Sequence, residues 1–146
     1  MKTVHTFILL LGFLIGINSI ASAQCKTFTK NDCKPRLEPY IYNGQLNSAV
    51  LNEGDIAELM LTFYSNQDYR IVVCAAPELG KIVFRLVDEK GQELFTNKDH
   101  DFTETWDFRT KSTQQLVVEV SVPESNTGEL IKSGCVSILV GFLDKQ

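Results

Sequence analysis

Four cysteines, Cys25, Cys33, Cys74 and Cys135, carry the widest choice of chemistry in this 146-residue chain. A thiol can join another thiol, hold a soft metal or attack a substrate. Spacing narrows the choice. Structural zinc wants closely spaced ligand pairs and thiol redox catalysis wants Cys-x-x-Cys, and neither pattern occurs. All four cysteines follow an apolar leader, and an even number of them in an exported chain reads as disulfides. Two bridges are predicted. Cys25–Cys33 would close the polar, turn-rich stretch KTFTKND, and Cys74–Cys135 would join a strand end in RIVVCAA to a strand start in SGCVSIL.

Other reactive groups are sparse. His100 is the only histidine beyond residue 23, and no Gly-x-Ser-x-Gly elbow accompanies it, so a nucleophile and its base cannot be assembled. Glu104 shares a parity with Phe102, Trp106 and Phe108, and a carboxylate held among aromatics would have a raised pKa. Paired carboxylates can cleave glycosides. The simpler expectation for Glu104 is a strand-edge side chain that reaches water or meets an arginine. Asn97, Asp99 and Asp101 offer oxygens at alternate positions, a weak calcium candidate without the glycine and closing glutamate of an EF-hand loop, and with Lys98 opposing a cation. A polar turn is predicted there, with no metal and no cofactor. Tyr40, Tyr42, Tyr64, Tyr69 and Trp106 are the candidate ligand-binding aromatics, as sugar platforms or as anchors for a protein partner. Trp106, beside Phe102 and Phe108, is predicted to serve the core, and Tyr64 and Tyr69 to pack around the turn between them.

These residues need a scaffold, and the N-terminus says where it is built. Lys2, the apolar run FILLLGFLIGI at residues 7–17 and Ala21-Ser22-Ala23 form the three parts of a secretory signal peptide. The run is shorter than the roughly 20 residues a membrane helix needs. Gln24 separates Ala23 from Cys25, which argues for cleavage after Ala23 and against lipidation of the cysteine. The predicted organisation is a signal peptide at residues 1–23, a disulfide-pinned arm at 24–39 and a single domain at 40–146, with no transmembrane segment after cleavage. Without residues 1–23 the chain keeps thirteen basic against eighteen acidic side chains, a net charge of −5. Nucleic acid is excluded as a partner, because its affinity comes largely from neutralising phosphates.

Period-two patterning governs the domain. In IAELMLTFYS, Ala57, Leu59, Leu61 and Phe63 share one parity, opposite Glu58 and Thr62. KIVFRLVD and QELFTN flank the turn at residues 88–91 and predict a hairpin. DFTETWDFR and QQLVVEVSVP alternate as well, and Pro123 ends the second. YRIVVCA is rich in β-branched residues, and CVSILVGFL, apolar on both parities, predicts a central strand. No convincing amphipathic helix is visible. The predicted fold is all-β, an antiparallel β-sandwich of jelly-roll type with seven or eight strands.

The stretch NQDYRIVVCAAPELGKIVFRLVDEKGQELFTN, with the terminal GCVSILVGF, resembles a group of small secreted proteins of Bacteroidetes-type bacteria that have no established function. The order of EGD, alternating strands and a strand–DxxG–strand hairpin is also similar to pre-peptidase C-terminal β-sandwich domains of secreted hydrolases. That family has Gly-x-Tyr-Tyr before its last strand, where this chain has Ser133-Gly134-Cys135. Both resemblances imply the fold and bring no catalytic residues. The expectation is a secreted or periplasmic, non-enzymatic interaction or structural module that meets a protein or glycan at the cell envelope. A carbohydrate-binding module using exposed Tyr and Trp is the alternative, and an enzyme with an unrecognised carboxylate site is the remote one. An exposed aromatic row on a concave face would favour sugar, and a flat apolar patch would favour protein.

Overall fold

The computed structural model describes residues 20–125 and 130–144, with side chains from residue 24 onward. Nine strands form two packed antiparallel sheets, the all-β sandwich that the patterning predicts. Sheet A contains β1 (Ile41–Tyr42), β9 (Ser133–Phe142), β4 (Asp68–Ala75) and β7 (Thr105–Arg109) in that order, with β2 (Asn47–Asn52) also paired to β9. Sheet B runs β3 (Ile56–Phe63), β8 (Gln114–Ser121), β5 (Val83–Asp88), β6 (Glu93–Thr96). β1 and β2 take the count past the seven or eight expected. Two residues are too few to show a period, and NSAVLN has only one β-branched residue to announce a strand.

Alternation explains what lies between the sheets. Ile71 and Val73 of β4 meet Phe84 and Leu86 of β5 and Leu116, Val118 and Val120 of β8, all buried. Trp106 and Phe108 pack against this core from β7, as predicted. The β5–β6 hairpin forms where expected: the Asp88 carboxylate accepts from the N–H of Lys90 and of Gln92, both at 2.8 Å, and Gly91 takes the positive φ that the turn demands.

The N-terminal arm differs from the loop expected of KTFTKND. It is helical: α1 (Ile20–Phe28) runs into a π-helical turn (Thr29–Cys33) and a 3-10 turn (Lys34–Leu37). Cys25, Thr29, Cys33 and Leu37 recur at every fourth position, so they share a face, and all four are buried against the outside of sheet A. The predicted disulfides are corrected accordingly. The bridges are Cys25–Cys135 and Cys33–Cys74, with Cα separations of 5.3 and 6.0 Å.

Geometry dictates that outcome. Eight helical residues separate Cys25 from Cys33 by about 12 Å, beyond any disulfide. Cys74 lies opposite Ser137 in the β4–β9 register, which makes Cys135 its diagonal neighbour at roughly 7–8 Å. A disulfide needs its Cα atoms within about 7 Å. Each strand cysteine therefore bonds outward to the arm. Between the two bridges the Thr29 hydroxyl donates to the Cys25 carbonyl at 2.7 Å and lies 2.6 Å from the Ser137 hydroxyl. Val72, Leu139, Leu37 and both sulfurs of the Cys33–Cys74 bridge make a second small core under the arm.

Candidate functional site

The five predicted aromatics do not gather into one row. Tyr40 and Tyr42 stand at the arm and β1, each under a cation: Arg70 lies over the Tyr40 ring at 4.6 Å and Lys34 over Tyr42 at 5.4 Å. Burial raises both phenol pKa values, and the nearby Asp107 adds to the rise at Tyr40. Trp106 sits elsewhere, stacked on Phe95 at 3.9 Å and near His100 at 5.1 Å. Tyr64 and Tyr69 are together at one end of the sandwich, where the Tyr69 hydroxyl accepts the Tyr64 N–H at 2.9 Å. They line an open cleft of ≈ 610 Å³ with Asn43, Gln45, Gln67 and Phe142.

The other polar candidates have structural partners. Asn97 is buried; its amide oxygen accepts from Phe84 N–H at 3.0 Å, and its NH₂ donates to the carbonyls of Ile82 and Thr103. That oxygen is thus taken up by a main-chain N–H of β5. No cluster of three His, Cys, Asp or Glu groups suited to a metal occurs among the described residues. Glu104 forms an ion pair with Arg36 of the arm. Asp107 holds Arg70 through two 2.7 Å hydrogen bonds, which raise the arginine pKa, while Arg70 also donates to the carbonyls of Arg36 and Glu38. These groups fasten the arm to the sheet.

A different surface stands out around β3. Its even-numbered side chains leave the core, and Ile56 and Met60 are 64% and 63% exposed. Met60 lies opposite Val117 of β8, and Val117 opposite Val87 of β5, so an apolar band crosses the outer face of sheet B. The neighbouring row is Glu58, Glu119 and Arg85. Arg85 grips Glu119 through hydrogen bonds of 2.6 and 2.8 Å, which hold that carboxyl below its usual pKa. The Glu58 carboxylate, directly opposite Glu119, has no partner among the described residues. Leu130 and Ile131 add exposed apolar surface beyond the β2–β3 turn, where Glu53 N–H donates to the Lys132 carbonyl at 3.0 Å.

β3 is also an edge. It pairs with β8 through eight unbroken positions and has no proline, lysine or bulge along its length, whereas β6 at the opposite edge has four residues and adjoins a register shift. Natural edges are normally blunted by such devices. Ala57, Leu59 and Leu61 face the core yet are only half-buried, because no described residue closes the margin between β3 and β2. The ≈ 610 Å³ cleft and a second of ≈ 340 Å³, lined by Leu46, Leu51, Ala57 and Leu59, lie along that margin.

The chain matches no family model and no curated protein. A solved structure shares its fold. Aeromonas hydrophila PliG, a periplasmic lysozyme inhibitor of g-type lysozyme, aligns over 73% of this chain and 90% of its own with a TM-score of 0.52. At 10% identity the likeness to PliG is one of architecture.

The β3 residues of this surface were open to sequence reasoning. Ile56 and Met60 occupy the same parity as Glu58 and Thr62, so two large apolar side chains fall on a face that alternation assigns to water. Val117 and Val87 are visible as the same exception, but only the register brings them beside Met60.

Proposed function

We propose that the protein is an exported, non-enzymatic module that binds another protein, working in the periplasm or outside the cell. The observation that carries this reading is the apolar band of Met60, Val117 and Val87, on a sheet face that no described element covers. Exposed apolar surface rimmed by polar groups is the usual mark of a protein contact. The two disulfides support export, since such bridges persist in oxidising compartments. PliG supports it too, as a periplasmic protein of the same architecture whose target is a protein.

Site-specific photocrosslinking tests it. A benzophenone amino acid replacing Met60 or Val117, in the disulfide-intact chain exposed to native envelope and medium, should form adducts with a discrete protein band. The same group at Lys30 on the arm should form none. Adducts of equal yield from all three positions, or none from Met60 and Val117, would contradict the reading.

A second reading has its own observation. Tyr64 and Tyr69 share the larger cleft with the amides of Asn43, Gln45 and Gln67, an arrangement that suits a sugar ring. It expects binding on a glycan array that Tyr64→Ala abolishes and Val87→Asp, outside the cleft, leaves intact.

A further inference from the structure

Among the described residues the margin between β2 and β3 is open, and it has the form of a missing strand's place. An incoming extended segment could pair with the free edge of β3, point alternate side chains into the two clefts over Leu51, Leu59 and Leu61, and point the others outward beside Ile56, Glu58 and Met60. Strand addition of this type draws affinity from main-chain hydrogen bonds and specificity from pockets for alternate residues. The half-exposed core side chains along β3 are what such a strand would cover.

Charge says what kind of segment fits. Residues 37–69, which contain β1, β2 and β3, include Glu38, Glu53, Asp55, Glu58 and Asp68 and not one lysine, arginine or histidine. Asp55 is engaged with Asn52, and Glu53 with Ser125, but the Glu58 carboxylate is unpaired among the described residues and lies mid-strand, opposite a second carboxylate at Glu119. Arg85 already answers Glu119, which leaves Glu58 as the carboxylate of this row open to an incoming cation. A second copy of this chain is a poor occupant, because β3 carries Glu58 and no basic side chain to set against it.

We propose that this margin takes an extended polypeptide segment of alternating basic and apolar residues, which joins sheet B as a strand beside β3. The proposal rests on the protein-binding reading and specifies how the partner is held. Its test uses the disulfide-intact mature chain and a capped octapeptide alternating lysine and valine, matched to the eight residues of β3. A glutamate–valine octapeptide is the control. The lysine peptide should bind saturably and slow amide hydrogen exchange at residues 56–62, leaving β6 unchanged. Glu58→Lys should weaken it about tenfold, as expected for a lost charge-assisted contact, and Glu58→Gln by less.

Equal binding of the glutamate peptide, or binding without protection of β3, overturns strand addition. Protection of β3 that rises with protein concentration alone points to self-pairing and overturns it as well. If Met60 still crosslinks a protein while the peptide leaves β3 unprotected, strand addition fails and the protein-binding reading stands. Failure of both experiments removes both.

Discussion

The two outer faces of the sandwich have opposite fates. On sheet A, Val72, Cys74 and Leu139 point outward and are fully buried, because the helical arm lies over them and is bonded there twice. On sheet B, Met60 points outward with no such cover and is 63% exposed. Both faces break the rule that outward positions are polar. Within sheet A the exception is resolved by the chain itself. Within sheet B nothing among the described residues resolves it, and the missing cover is what we assign to a partner.

Equivalent substitutions on the two faces should separate them most sharply. Val72→Asp buries an unpaired carboxylate under the arm and should lower the unfolding free energy by about 4 kcal/mol in urea titration. Met60→Asp should change it by less than about 0.5 kcal/mol, while abolishing crosslinking from Val117. A large cost at Met60 would mean that its face is covered after all. Replacing both Cys33 and Cys74 by serine should cost about 3 kcal/mol by freeing the unfolded chain, and should expose the arm to protease. A variant as protected as the wild type would show that the staple is dispensable. Thr29→Val leaves the buried Ser137 hydroxyl short of a partner and should cost about 1–2 kcal/mol in the same titration.

The smallest effect is on the bare face. Glu119 has a folded pKa below its ordinary value of 4.5, chiefly through its hydrogen bonds from Arg85. Its contribution is present above that ordinary value and is lost as the pH falls through the lowered one. Glu119→Gln should therefore flatten the fall in stability on acidification. The change should be slight, since the pair lies at the surface. An unchanged acid limb would show that Arg85 gains nothing from the pair.

The sandwich was legible because its strands follow a period of two, and the hairpin because residues 88–91 carry their own turn chemistry. β9 reads as apolar on both parities, and its partner β4 as a run rich in β-branched residues, for a reason now visible: one parity faces the main core and the other the arm. The arm was not legible as a helix. Its buried face is one side chain wide, Cys25, Thr29, Cys33 and Leu37, and apart from Phe28 and Pro35 the positions between are polar. The disulfide pairing was hidden for the same reason, because it depends on that helix and on the diagonal offset of Cys74 and Cys135, neither of which spacing reveals. Asn97 looked like a possible ligand because sequence shows a side-chain oxygen but not the Phe84 N–H that occupies it.

Hydrogen exchange on the disulfide-intact chain, alone and with the protein captured at Met60, tests most directly that the bare face is the one that binds. The account predicts slower exchange in β3 and β8, with α1 and β4 unchanged. Slowing confined to the arm, with β3 unaffected, would contradict it.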